Sequence, residues 1–342
     1  MKNVWLAWAF VITAAWCNGL MAVEVRSDYP SSYTVKLGDT LWDISDLFLK
    51  TPWLWPEIWQ ANPQVANPHL IYPGDILKLV YLDGRPRLVV SRGKLKLTPQ
   101  MRTSPLGAAI PATPLDAISS FLSRSRVVEK GVMEAAPYVV AGSSNRLISA
   151  AGDKVYARGE FDQLTKFYGI YRKGQTFRDP KTREKLGVQA QEIGTGRVVG
   201  AEGEGKKRVT SILLNASNEE IRVGDRFLPF ADEQVNSIFY PKAPDVDVEG
   251  VVIAVEGGVA NIGVNDVVVI NRGIREGLNT GDVLSVSQAG KVIRDKVGRG
   301  KVTLPSERAG LLIVFKVFEK VSFGLILEAE RPLSLFDEIR NP

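Results

Sequence analysis

A chain of 342 residues with 45% hydrophobic content has the material for two or three packed cores, which excludes a disordered polymer. Its formal charge of +5 favours an anionic partner, but the basic residues are dispersed and form no stripe, so there is no nucleic-acid footprint. A single histidine and a single cysteine leave little for metal or thiol chemistry, and 19 prolines and 31 glycines spread along the chain predict many short strands joined by turns.

At the N-terminus Lys2 precedes an apolar run from Val4 to Trp16 and then the smaller residues "CNGLMA". This is the pattern of a secretory signal peptide over residues 1–22, with cleavage expected after Ala22. The run is shorter than the roughly 20 apolar residues that span a bilayer, so the mature chain is expected in the periplasm, meeting a membrane only through a partner. Cys17 follows Trp16, whereas a lipid-modified cysteine would follow a small residue. Without the signal the chain has no cysteine, and its stability has to come from packing.

The stretch "YTVKLGDTLWDISDLFLK", Tyr33 to Lys50, reads as a strand, a turn at Gly38 and a helix capped by Asp39. Leu41, Ile44 and Phe48 share one face of that helix. "TPWLWPEIWQANP" places Pro52 and Pro56 where a first helical turn accepts them, and Trp55, Ile58 and Trp59 again form one apolar face, so a second, shorter helix follows. Trp42, Trp55 and Trp59 are expected in a core, and His69 on a surface loop. After the Asn-Pro pairs at 62–63 and 67–68, "IYPGDILKL" predicts a type II turn at Pro73 and Gly74 and then an alternating strand.

This strand-helix-helix-strand order, with "YTVKLGDTLWDI", Asn62-Pro63 and "YPGDILKL" at these separations, resembles a LysM domain over residues 33–81. The resemblance implies a β-α-α-β module that binds N-acetylglucosamine-containing glycan strands of peptidoglycan in a shallow groove. Its walls would be Gly38, Asp39, Thr40 and Leu41 on one side, and Asn67, Leu70, Ile71 and Tyr72 on the other. Turn amides would meet N-acetyl carbonyls and apolar side chains would cover the sugar face. One such site is expected to bind modestly, so several copies around a ring would strengthen attachment by avidity.

Past this module, "LVYLDGRPRLVVSRGKLKLTPQ" predicts a hairpin turning at Asp83-Gly84. Residues 82–149 read as that hairpin and a Ser/Pro/Ala-rich connector, with one helix beginning at Thr113-Pro114 and running through Phe121 and Leu122. A first β-rich module is expected over 150–230, a linker over 231–247 and a second β-rich module over 248–342. The two modules repeat one pattern. "GDKVYARG" (152–159), "YRKGQTF" (171–177), "EIGTGRVV" (192–199) and the run 209–229 correspond in order to "NDVVVINRG" (265–273), "LNTGDVLSV" (278–286), "ERAGLLIVF" (307–315) and the run 321–339. Runs such as "DVVVI" and "GLLIVF" are β-branched and apolar, which predicts buried or half-buried strands. The fold class expected is α+β, a small LysM module followed by a β-rich C-terminal half of two similar modules.

"VEGVVIAVEGGVANIGVNDVVVINRG" and the ending "LSLFDEIRNP" are similar to the C-terminal domain of the flagellar T-ring assembly protein over Val248 to Pro342. With a LysM module at one end and this domain at the other, the chain resembles the secretin-associated proteins of type IV pili over its whole length. That resemblance implies an adaptor that anchors an outer-membrane secretin ring to the cell wall.

Secreted LysM proteins are often wall hydrolases, but the residue inventory argues against catalysis. One histidine cannot supply the ligands of a zinc peptidase, and the only cysteine lies in the signal. A Ser-His-Asp triad would need His69, which has no nucleophile-elbow motif near it. Glu202 and Glu204 in "GAEGEGKKR" read as a solvated hairpin tip, and "GTGRVVG" and "GRGK" lack phosphate-loop spacing and read as turns. The expectation is a non-enzyme without cofactor or metal. The alternatives are an anchor for a flagellar or other envelope ring, and a peptidoglycan hydrolase or its activator.

Overall fold

The computed structural model describes residues 23–59, 71–91, 125–162, 164–229, 240–256, 261–288, 290, 292–298 and 300–342. Asn62-Pro63, Asn67, His69, Leu70 and the helix expected from Thr113 lie outside the described residues.

The first unit contains β1 (Tyr33–Thr34), α1 (Leu41–Phe48), a tight turn at Pro52–Leu54, α2 (Trp55–Trp59), β2 (Ile76–Leu82) and β3 (Arg85–Ser91). The cap of α1 is one residue later than the sequence suggested. Thr40 Oγ1 accepts from the Asp43 amide at 3.1 Å, and Asp43 Oδ2 accepts from the Thr40 amide at 3.0 Å, a reciprocal capping box. Asp39 precedes the cap and instead closes the preceding turn, its Oδ2 accepting from the Lys36 amide at 2.8 Å and the Tyr33 hydroxyl at 2.9 Å.

Leu41, Ile44 and Phe48 of α1 pack with Trp55, Ile58 and Trp59 of α2 and with Ile71 and Leu77. The sheet, in order β1-β2-β3, does not stop at the boundary drawn at residue 81. Asp83 and Gly84 both have positive φ, 51° and 73°, as a two-residue hairpin requires, and β3 then pairs with β2 from Leu82↔Arg85 to Ile76↔Ser91. Leu88 and Val90 return to the same core, so the folded unit runs to Ser91.

The second unit begins inside the stretch read as a connector. It contains β4 (Ser125–Val128), a helical turn at Val132–Ala135, β5 (Tyr138–Gly142), β6 (Ile148–Ser149), β7 (Lys154–Arg158), β8 (Phe167–Arg178), β9 (Lys185–Glu202), β10 (Val209–Ser217), β11 (Ile221–Arg222) and β12 (Arg226–Pro229). Six strands close a ring in the order β5-β7-β10-β9-β8-β12, with β12 back against β5. β4 adds to the N-terminal half of β9, and β6 pairs with β11 at the side. Val139, Val155, Ile170, Ile193, Ile212 and Phe227, one from each of the six strands, meet in the core.

The third unit contains β13 (Glu249–Val255), β14 (Val267–Ile270), β15 (Val283–Gln288), β16 (Val292–Arg294), β17 (Lys301–Thr303), β18 (Glu307–Val317), β19 (Ser322–Ala329) and β20 (Glu338–Arg340). It is a closed barrel in the order β13-β14-β19-β18-β15-β20. Numbered by position in the chain, both rings read first, second, fifth, fourth, third, sixth. The repeat seen in sequence is therefore a repeat of topology, and the opening strand of each copy, β5 and β13, is the part the sequence comparison left out.

The glycine of the Arg-Gly pair at the end of, or just after, the second strand of each copy has a steric reason. A Cβ on Gly159 would lie 2.6 Å from Pro137 Cα, and one on Gly273 would lie 2.2 Å from the Phe318 carbonyl oxygen. Only glycine allows those crossings.

Strands of the second barrel alternate between two clusters. Val268, Ile270, Leu284, Leu312, Val314 and Ile326 join Val252 and Ile339 inside the barrel. Val267, Val269, Val283, Leu311, Ile313 and Phe315 face the opposite way and are equally buried. What covers this outer face is Phe177 and Leu186 from the β8–β9 ribbon, together with Trp42, Trp53 and Leu54 of the first unit. Strands buried on both faces read as continuous apolar runs, which explains "DVVVI" and "GLLIVF". Helix is confined mainly to the first unit, so the α+β class rests on that module and the C-terminal half is β-rich. Among the described residues no helix is long and apolar enough to cross a membrane.

Candidate functional site

Two turns of the first unit are tied side by side through Val35. Its amide donates to the Asp75 carbonyl at 2.9 Å, and its own carbonyl accepts from the Gly74 amide at 2.8 Å. One turn runs from Lys36 into α1 and the other from Ile71 to Asp75. Gly38 and Gly74 occupy matching positions, with φ of 95° and 97° and open space where a Cβ would point. In the second turn the Asp75 amide donates to the Tyr72 carbonyl at 3.0 Å and the Asp75 carboxylate accepts from the Tyr72 amide at 3.1 Å, the closure expected of a Pro-Gly type II turn. Both loops are held by their own hydrogen bonds before any ligand arrives.

The residues singled out for a groove divide by burial. Thr40, Leu41 and Ile71 are buried, Thr40 by its capping box and the other two in the core, so their side chains are withdrawn from the surface. They can offer only backbone groups, which corrects the expectation of aliphatic contacts from Leu41 and Ile71. Gly38 is exposed, and Asp39 and Tyr72 are half-buried. Asn67 and Leu70 lie outside the described residues.

Sequence reasoning missed Leu37, which is 88% exposed beside Gly38. Alternation through Tyr33 and Val35 would turn Leu37 inward; the turn at Gly38 takes it out of register and leaves it in solvent. The Lys36 ammonium lies 5.9 Å from the centre of the Tyr33 ring. Burial raises the Tyr33 hydroxyl above the ordinary tyrosine value, and the hydrogen bond to Asp39 and the charges of Asp39 and Asp43 add to the shift. Tyr33 therefore stays a donor, and Asp39 is held as a turn-forming acceptor.

The arrangement offers an apolar side chain, Leu37, an amphipathic ring, Tyr72, and turn backbone between them, which suits the apolar face and amide groups of an N-acetylated sugar. Among the described residues no group of three or more His, Cys, Asp or Glu could hold a metal ion. Glu202 and Glu204 are exposed where β9 turns towards β10.

Residues 33–80 match the family model described as LysM domain. A stretch of 60 residues, 15% of this chain, is 38% identical to the Bacillus subtilis (strain 168) protein named "Uncharacterized protein YqbP". The chain spans 27% of that relative's length. The matched segment begins at β1 and ends within β2, so it contains both tied turns and both helices. The chain thus carries, at residues 33–80, a LysM domain, a carbohydrate-binding and not a catalytic module, of the kind that holds the N-acetylglucosamine-containing glycan of peptidoglycan.

Proposed function

We propose that this chain is a periplasmic, non-catalytic adaptor, exported by the signal peptide at residues 1–22, that anchors an outer-membrane secretin ring of the type IV pilus kind to peptidoglycan. The observation that carries the reading is the joining of one LysM module to two barrels of identical strand order. A binding module fused to a separate β-rich body is the plan of a tether, in which wall attachment and ring contact are divided between different surfaces. The resemblance of the C-terminal half to the T-ring assembly domain, and of the whole chain to secretin-associated proteins, supports the ring as the second partner. Several copies around such a ring would convert modest glycan affinity into firm attachment.

The test is co-sedimentation of the chain from residue 23 with purified sacculi, with released muropeptides read in the same tubes and the isolated secretin ring added in a parallel set. A tether pellets with sacculi, brings the ring down with it and releases nothing. Released muropeptides would replace this reading with that of a hydrolase.

A further inference from the structure

Between β15 and β18 the chain leaves the second barrel as a separate two-stranded ribbon. β16 and β17 pair with each other, Val292↔Thr303 to Arg294↔Lys301, and with no other strand among the described residues. All six residues of the two strands are exposed, so the ribbon buries neither face. An isolated two-stranded ribbon is marginal in water, and its unpaired edges are a template for another strand. Its root is nonetheless shaped: a Cβ on Gly290 would lie 1.7 Å from the Leu304 carbonyl oxygen, so the two chains cross there only because position 290 is glycine.

The chemistry of the ribbon is apolar and cationic. Val292, Ile293 and Val302 are exposed on it, and Val297 at its tip is 93% exposed. Residues 291–304 contain Lys291, Arg294, Lys296, Arg299 and Lys301 against one acid, Asp295. That acid is committed to the turn, its Oδ1 accepting from the Val297 amide at 2.8 Å, and the amides of Gly298 and Val297 hold its carboxyl below the usual range.

A second loop reaches the same end of the barrel. Gln288 and Glu307, the residues flanking the ribbon, are paired, and Glu307 forms an ion pair with Arg331. Beyond Arg331 the loop exposes Leu335 and Phe336, and Phe336 adopts φ 71°, a conformation bulky side chains rarely take. A half-exposed aromatic held at positive φ, at the same end of the barrel as an uncovered ribbon, is the signature of a contact surface.

We infer that the ribbon 292–303, with Leu335 and Phe336 at its base, is the docking arm of the C-terminal barrel, and that its occupant is an exposed strand edge flanked by carboxylates on a partner protein. A bilayer would leave the edge amides unpaired, since lipid offers them no acceptor. A second copy joined edge to edge would set two cationic ribbons against each other. An acidic sheet edge satisfies both the backbone and the charge. The inference rests on the reading that the barrels contact the ring, and it assigns that contact to the arm.

The test uses the chain from residue 23 with the isolated secretin ring. Two double variants, Ile293→Glu with Val302→Glu and Arg294→Glu with Lys301→Glu, change only exposed positions. Each is expected to weaken ring binding at least tenfold while sacculus binding and melting temperature stay unchanged, and amides of β16 and β17 in the unaltered chain gain hydrogen-exchange protection on binding. Full ring binding by both variants would overturn the arm while leaving the tether reading intact; failure of the unaltered chain to bind the ring would overturn both. Arm-dependent self-association in sedimentation velocity without ring binding would overturn the proposal in favour of a second copy. Arm-dependent binding to phosphatidylethanolamine–phosphatidylglycerol vesicles without ring binding would overturn it in favour of lipid.

Discussion

Asn271, which follows the second strand of one barrel, donates its side-chain amide to Asp179 of the other barrel at 2.7 Å, and both residues are buried. The same Asn271 accepts the Val251 amide through Oδ1 at 2.7 Å, so one side chain ties the barrel-to-barrel contact to the opening strand of its own barrel. Burial pushes the Asp179 carboxyl up, but the Thr182 amide, Asn271 and the Lys181 amide outweigh it and hold the group below the usual range. Asn271→Ala leaves a carboxylate oxygen and a backbone amide without this partner. It is expected to cost about 1–3 kcal/mol in urea unfolding. A loss below a few tenths would mean that water replaces the amide.

The same contact is acid-sensitive. Glu184 is drawn down to about 2 by hydrogen bonds from Arg275 and Lys320 across the barrels, at 3.0 Å and 2.7 Å. A carboxyl held below its unfolded value contributes stability above that value and loses it as pH falls through the folded one. The barrels should therefore loosen between about pH 4.5 and about pH 2, and added salt should diminish the share owed to the half-buried Glu184. Denaturant midpoints of the unaltered chain and Glu184→Gln across that range test this.

The LysM–barrel contact responds in the opposite direction. Burial raises Glu328 of β19 to about 6, and the charge of Asp46 on α1 adds to the rise, while Arg308 opposes it. A carboxyl raised on docking contributes fully below its free value of 4.5, and that contribution disappears as pH rises through about 6. Docking should be tighter at pH 5 than at pH 7, and Glu328→Gln should remove the difference. Hydrogen exchange in α1 at the two pH values reads it.

Trp42 and Trp53 belong to the LysM module yet lie against the outer face of the second barrel. Trp42→Ala removes a large ring from that contact and is expected to cost about 3–5 kcal/mol. The radius of gyration from X-ray scattering should rise if the module undocks. An unchanged radius would mean that Trp53 and Leu54 hold the contact without it.

Positions in the groove should separate by role. Thr40→Ala removes a cap and should cost about 1 kcal/mol of module stability. Leu37→Ala and Tyr72→Ala should leave the melting temperature alone and weaken binding of N-acetylglucosamine oligomers several-fold in calorimetry. Equal binding by both would move the glycan contact off these turns.

What is local can be read from the order of residues. The turn residues, the 3.6-residue spacing of Leu41, Ile44 and Phe48, the Pro73-Gly74 turn and the Asp83-Gly84 hairpin each depend on a few neighbouring residues, and each forms at the place read. Even the repeat of the two barrels was legible, because the corresponding runs follow one another in the same order at similar spacing. The cap falls on Thr40 and not Asp39 because both are good capping types, and only the path of the chain decides which one meets the free amide.

Tertiary structure alone decided the rest. Ring closure, the place of β5 in the first barrel, the addition of β4 to β9 and the return of β3 to the LysM core depend on pairings between distant segments. Short strands carry no label for their partners. The burial of Trp42 against a barrel, the withdrawal of Leu41 and Ile71 from the groove and the exposure of Leu37 follow from the same cause. An apolar side chain announces that it will be covered, and the packed fold chooses by what.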